Sequence, residues 1–296
     1  MRDPKPTGQR AENVPRRIFI RPHWSYSQIS QFLRCPLQYY FERVARLPRP
    51  FVPSGMALGS AVHEGLAEYH RQLSLGHNVT TSQLQSVFLR SWQQREQERP
   101  IQYRDGEDQQ QVIEQGVALL EAYHNEPPPQ NIVAVEESMT VPLHTSEGEF
   151  LEKPLVAVID LLTRDEAGLT VSEFKTSGRR FNEFEADTTL QASCYAHAVR
   201  ERYDQSPRVR YTILVKTKTP AVQYLETSRT DADMSRLGDV VQAVERAITI
   251  GAFYPIESPM NCSGCPFRKP CQEWRGGTAK NLPLNVNHGH HEALTC

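Results

Sequence analysis

The chain has 296 residues, 39% of them hydrophobic and 23% charged, with a formal net charge of −2 at pH 7. These totals fit an ordinary folded, water-soluble protein of one large domain or two small ones. They exclude a helical membrane protein, because no apolar run approaches the ~20 residues that cross a bilayer, and they do not advertise the basic charge of many nucleic-acid binders, although local patches matter more than the sum. The opening MRDPKPTGQRAENVPRR is charged but has no apolar stretch. It is therefore not a secretory signal, and the cytoplasm is the default location.

Residues 1–22 are rich in Pro and Arg, which predicts a flexible basic arm. The next stretch, SYSQISQFLRCPLQYYFERV, has Ile29, Phe32, Leu33, Leu37, Tyr40 and Phe41 at helical spacing, with Ser27 as N-cap. Pro36 inside it predicts a kink or two abutting helices. After a Pro/Gly-rich loop, a helix is expected from Gly59 or Ser60, carrying AVHEGLAEYHRQL. Two more are expected over about 80–98 and 108–125, the second closed by Pro127, Pro128 and Pro129.

The periodicity then changes. NIVAVEESMTVPL, KPLVAVIDLL and LTVSEFKT alternate and are β-branched, as strands are. An amphipathic helix, TTLQASCYAHAVRERY, follows. Strands VRYTILVKT and VQYLETSR come next, then a helix over about 231–250. Helices first and then β-β-β-α-β-β-α predict an α/β domain with a mixed central sheet flanked by helices and an N-terminal helical part. The last residues, from 276, read as a loose tail. His288, His290 and His291 in it read as solvated.

The hairpin within residues 158–177 raises the chemical question. With Asp165 to Gly168 as the turn, Asp160 falls directly opposite Glu173. Opposed side chains have Cβ atoms ~5 Å apart. Two ionised carboxylates at that distance repel by about 3 kcal/mol at an effective dielectric of 20. A shared proton or a cation would offset this. Lys175 lies on the same strand face as Glu173. It is a structural answer by itself; a divalent metal held by both carboxylates is the chemical one.

The flanking residues carry a resemblance. Asp160 on one strand, Glu173-Phe174-Lys175 on the next, then a helix with Gln191 and Tyr195 resemble the PD-(D/E)XK nuclease core, and upstream GSAVHEGL resembles the RecB-like motif that adds a histidine, here His63. The resemblance spans about residues 24–275. It implies that His63, Asp160, Glu173 and the backbone carbonyl of Phe174 hold Mg²⁺ or Mn²⁺, metals that suit oxygen ligands with one imidazole. Lys175 would position or deprotonate the attacking water and steady charge on the phosphate. Gln191 and Tyr195, four apart on one helix face, would support the site and the DNA strand. Glu64, next to His63, is expected to point elsewhere.

NCSGCPFRKPCQEW holds Cys262, Cys265 and Cys271, three thiols of an incomplete tetrahedral set. Cys194 lies within a helix and Cys296 at the chain end, which leaves Cys35 as the best fourth. Such a clasp closes a loop of about 227 residues, on the order of 4–5 kcal/mol by chain entropy. By ligand chemistry zinc and iron–sulfur fit equally, and disulfides do not suit a reducing cytoplasm. The one-plus-three layout resembles the [4Fe–4S] clasp of AddB-type helicase–nucleases and CRISPR-associated RecB-like exonucleases, which implies a structural cluster, with zinc the alternative.

The resulting expectation is one nuclease domain over residues 23–275, a metal-dependent exonuclease acting on single-stranded DNA ends. Phe32, Tyr39, Tyr40 and nearby arginines are candidates for base stacking and phosphate contacts. No phosphate-binding G-x-x-x-x-G-K-[ST] loop occurs, so unwinding would fall to a helicase partner. The rival readings are a catalytically inactive DNA-binding module and a redox-sensing iron–sulfur protein.

Overall fold

A computed structural model describes residues 22–274. Nearly all of the expected arm, and the tail with its three histidines and Cys296, lie outside the described residues.

The first helical run breaks where proline requires it. Helix α1 (Tyr26–Arg34) and helix α2 (Pro36–Tyr39) are separated by Cys35, whose backbone is extended at φ −162° and ψ 99°. A residue before proline is sterically pushed out of the helical region. A π-helical turn, Tyr40–Val44, follows. The N-cap is Ser25, not Ser27, which lies inside the first turn. A correction concerns the aromatics here. Phe32 is 6%, Tyr39 2% and Tyr40 4% exposed. They pack on one another and on Phe253, so they form core and offer no stacking surface. The arginines beside them are also engaged: Arg49 pairs with Glu42 at 2.7 Å and Arg43 donates to Gln31.

Strand β1 (Val52–Pro53) leads directly into helix α3 (Ser54–Ser74), which starts five residues before Gly59. Gly59 is thus interior to the helix. A Cβ there would stand 3.3 Å from the Thr176 hydroxyl, so glycine lets the helix approach the sheet closely. Helix α4 (Thr81–Glu98), strand β2 (Ile101–Gln102) and helix α5 (Gln109–His124) follow. Capping boxes at Thr80–Gln83 and Asp108–Gln111 start the two helices. Strands β1 and β2 pair in parallel as a small second sheet that periodicity did not reveal.

The central sheet contains β3 (Ile132–Val141), β4 (Leu155–Asp165), β5 (Gly168–Ser177), β6 (Arg208–Val215) and β7 (Ala221–Thr227), in that order. Only β5 and β6 run parallel; the other pairs are antiparallel. The parallel crossover carries helix α6 (Glu183–Thr188), which the sequence reading lacked, and helix α7 (Leu190–Tyr203). Helix α8 (Asp231–Thr249) and the short α9 (Pro259–Cys262) and α10 (Arg268–Glu273) complete the described chain.

Two cores cover the sheet. Helices α3, α4 and α5 pack on Leu161, Phe174 and Leu214. Elements α1, α2, α7 and α8 pack on Ile159, Leu162, Val171 and Ile213. Regular alternation would send Ile159 and Leu161 to one face. They go to opposite cores, so β4 changes phase at Asp160. Across from it on β3, Glu136 has φ +52°, a left-handed backbone in mid-strand. The irregularity in both strands marks the place where the sheet opens.

Candidate active site

The β4–β5 hairpin turns through Glu166 and Ala167, with Asp165 paired to Gly168 and Leu161 to Ser172. Gly168 has φ +111°, a value glycine adopts freely. The register is the one expected. Its ladder ends at Leu161–Ser172, one step before Asp160 and Glu173. Beyond that step a side chain replaces the strand: the Phe174 N–H donates to Asp160 Oδ2 at 2.8 Å. The strands diverge here, and the two carboxylates sit at the opening.

Helix α3 brings His63 to the same place, with Nδ1 3.5 Å from Asp160 Oδ2. Burial by itself would lower the His63 pKa, but the Asp160 carboxylate outweighs it and holds the imidazole above its ordinary value. Burial would likewise raise Asp160; contact with His63 and the Phe174 N–H keep it below the usual carboxylate range. Glu173 moves the other way. It is 3% exposed, and burial, with Asp160 adding, raises its carboxyl although Lys175 opposes the shift. Lys175 is bonded to Glu173 Oε1, and despite burial Glu173 holds its ammonium protonated. Two neighbouring carboxyls driven in opposite directions are a recurrent mark of a chemical site.

Gln191 and Tyr195 of α7 face the hairpin and are buried. Gln191 donates to Glu173 Oε1 at 2.8 Å, and the Tyr195 hydroxyl donates to Glu173 Oε2 at 2.6 Å. Gln191 also reaches the Tyr195 hydroxyl at 2.8 Å. The structure therefore gathers His63, Asp160, Glu173, Lys175, Gln191 and Tyr195 around one sheet opening. Behind it, Phe174 stacks on His70 with centroids 5.2 Å apart.

Three neighbours escaped the sequence reading. Glu64, expected to point elsewhere, lines the same open cavity as His63 and Asp160; so do Glu136 and Arg95. Glu136 follows an ordinary alternating pattern in the sequence, and only its left-handed backbone turns it to this place.

The donor chemistry fits a hard divalent cation: two carboxylates and one imidazole, with Asp160 adding to the rise of the Glu173 carboxyl that a further positive charge would relieve. Among the described residues, no three His, Cys, Asp or Glu side chains close on a single ion. Both Glu173 oxygens already accept protein hydrogen bonds. Mg²⁺ sites characteristically use one or two carboxylates with water and substrate phosphates, without an all-protein cage.

The cysteines form a second cluster. Cys35, Cys262, Cys265 and Cys271 line one cavity of about 490 Å³, whose walls include Leu37, Phe41 and Phe267. Burial, then the nearby thiols of Cys35 and Cys262, push Cys265 up. Cys271 is pushed up to about 11 by burial and then by Cys35. Asn261 donates to the carbonyls of Arg34 and Ile256 and so ties this loop to the end of α1. Cys194 is buried in α7 and pushed up to about 12 by burial. It takes no part in either cluster.

No helix among the described residues is long and apolar enough to cross a membrane. No curated protein sequence matches the chain. A crystal structure titled "Putative exonuclease" from Eubacterium rectale is similar at 12% identity and TM-score 0.52, covering 91% of this chain and 94% of that one. The likeness is one of fold. A crystal structure titled SSO0001 gives 11% identity and TM-score 0.34, covering 81% of this chain and 92% of that chain. The sequence profile of the PD-(D/E)XK nuclease superfamily matches residues 23–272, nearly all of the described chain. That span contains the opened hairpin and the helices converging on it, and the chain belongs to the PD-(D/E)XK nuclease superfamily.

Proposed function

We propose that the protein is a RecB-like, metal-dependent DNA exonuclease that acts on single-stranded ends and carries a structural [4Fe–4S] cluster. One observation carries the nuclease reading. A buried carboxylate, Glu173, is held by Lys175, Gln191 and Tyr195 immediately beside the Asp160–His63 pair. A plain structural ion pair needs neither the second acid nor the imidazole.

His63, Asp160, Glu173 and the Phe174 carbonyl would hold Mg²⁺ or Mn²⁺. When bound, the ion supplies Lewis-acid polarisation of the phosphodiester and a more acidic water. The chain's own groups do the rest. Glu173 favours the protonated form of Lys175, so Lys175 serves as a cation and hydrogen-bond donor to charge developing on phosphate. Gln191 and Tyr195 fix the Glu173 carboxylate, and the Phe174 N–H fixes Asp160. Orientation is thus set before substrate arrives.

The cluster reading draws on the shared cavity of the four thiols. By ligand chemistry the thiols suit zinc and iron–sulfur alike; the preference for a cluster rests on the one-plus-three layout of the cysteines in the sequence. We assign residues 23–275 to one domain, with the cysteines as its clasp and the cytoplasm as its setting. A helicase partner would supply unwinding.

The test is incubation with end-labelled single- and double-stranded DNA, with Mg²⁺, with Mn²⁺ and with chelator. Cleavage is expected only with metal, faster on single strands, and absent in Asp160→Ala. Chelator-resistant cutting would contradict the reading. Iron and zinc analysis of anaerobically purified protein separates cluster from zinc. Lys175→Ala separates a nuclease from a redox sensor: cleavage should vanish while cluster absorbance stays.

A further inference from the structure

We propose that Arg95 binds a backbone phosphate of the nucleic acid at the mouth of the His63–Asp160 cavity; this rests on the nuclease reading above. Helix α4 buries Leu84, Phe88, Ser91 and Trp92 along one face. Arg95, three residues after Trp92, is the next position on that face. Phe88 and Trp92, on the same face, are almost fully buried, which fixes this stretch of the helix. The side chain then enters the cavity formed with Gly59, Ser60, His63, Glu64, Glu136 and Asp160.

Arg95 keeps its charge uncommitted there. Arg49 pairs with Glu42, Arg179 with Glu185 and Arg210 with Glu226. Arg95 has three carboxylate residues lining the same cavity, yet forms no ion pair or side-chain hydrogen bond among the described residues. Its Nε is buried with no partner. A buried donor without an acceptor is costly to retain. A guanidinium fork matches the geometry of phosphate oxygens. A phosphodiester brought to His63, Asp160 and Glu173 would set its anionic oxygens in this cavity. The simpler alternative is that Arg95 only covers Trp92 with its aliphatic stem. That role affects stability and leaves DNA binding and its salt dependence untouched.

The test uses the full chain and a fluorescein-labelled single-stranded 20-mer (about that length) in chelator, so that binding is read without cleavage. Anisotropy gives Kd between about 50 and 200 mM salt, the range over which counterion release is steep. Arg95→Gln should weaken binding about tenfold and lower the slope of log Kd against log salt by about 0.7–1, one phosphate's share on a single strand. Arg95→Lys should keep the slope and lose part of the affinity, since the charge survives and the fork does not. Urea midpoints of both variants should match the wild type, which separates a binding role from packing. Wild-type Kd and slope in Arg95→Gln would overturn the phosphate role by itself. A wild-type chain that binds the 20-mer but never cuts it with Mg²⁺ or Mn²⁺ would overturn the nuclease reading by itself.

Discussion

The opened hairpin and the cysteine clasp place reactive groups by opposite means. At the hairpin, polar side chains are ordered by other polar side chains: Glu173 accepts from Lys175, Gln191 and Tyr195, and Asp160 accepts from Phe174. At the clasp, the thiols line a largely apolar cavity, and what joins its halves is packing of Phe41 on Phe267 and the Asn261 bridge to Arg34. The first region is ordered by hydrogen bonds among its own side chains and backbone. The second lines its cavity with half-buried thiols, of which Cys265 and Cys271 are pushed up by burial and then by neighbouring thiols, an arrangement that is relieved when thiols ligate a metal as thiolates. Damage to the first should therefore cost chemistry with little stability, and damage to the second the reverse.

The largest effect is expected at the clasp. On the proposed cluster reading, replacing Cys35 with Ser should release the iron and remove a closure over about 227 residues, about 5 kcal/mol by chain entropy. That is a large part of the 5–15 kcal/mol typical of a domain. Iron content and the urea midpoint should fall together. Cys194→Ser should leave iron unchanged, because Cys194 lies in α7 away from the cavity. Loss of iron with an unchanged midpoint would show that the packing alone holds the ends.

At the hairpin, Asp160→Ala or Lys175→Ala should lower cleavage by roughly 10³-fold, the scale of removing one electrostatic group from a preorganised site. Asp160→Ala should leave the urea midpoint nearly unchanged, because losing that acid also removes a charge pressing on Glu173, and Lys175→Ala should lower it only modestly, because the Glu173 carboxyl, already raised, can take up a proton. A midpoint collapse in Lys175→Ala would mean that the charge cluster is structural, and the contrast between the two regions would fail.

The two regions also differ in how far the sequence disclosed them. The hairpin register follows from Gly168 and two alternating strands, because a two-residue turn leaves one pairing. The matching of the two carboxylates is therefore legible in the residues alone. Cys35 stood out by elimination. What stayed hidden is what depends on local departures from regularity. The phase change at Asp160 and the left-handed Glu136 have no signature in a run of alternating residues. Helix α3 begins at Ser54, not Gly59, because contact with Glu107 and the short β1–β2 sheet set its start. Phe32, Tyr39 and Tyr40 were ambiguous for a different reason. An aromatic stripe of helical period is the same for a core and for a stacking surface, and only the position of Phe253, more than two hundred residues later, decides it.

A further contrast comes from the wall behind the hairpin. His70 is fully buried, stacks on Phe174 and bonds Tyr123 at 2.9 Å. Burial lowers its pKa to about 3, against about 6.5 in an unfolded chain. The unfolded chain thus takes up the proton first as pH falls. The stability His70 contributes is complete above pH ~6.5 and drains away between there and about 3, at up to about 1.4 kcal/mol per pH unit. Urea midpoints at pH 7, 6 and 5 should show this decline, and His70→Gln should flatten it. Equal slopes in the two proteins would remove His70 as the acid-sensitive group.

The smallest effect tests preorganisation most directly. Tyr195→Phe keeps the ring in the α7 core and deletes only the hydroxyl that donates to Glu173 Oε2 at 2.6 Å. Hydrogen bonds to a charged group contribute about 1.5–3 kcal/mol. Gln191 and Lys175 still hold Oε1, so the carboxylate is loosened but not released, and the lower end applies. If the hydroxyl fixes a ligand, the loss should appear as roughly tenfold weaker activation by Mn²⁺, with the maximal rate at saturating metal nearly restored. If it only fills the core, activation by Mn²⁺ should be unchanged and the urea midpoint alone should fall. Tyr195→Phe thus asks of one oxygen atom what the two regions ask of the whole molecule: whether a buried polar contact here serves orientation or cohesion.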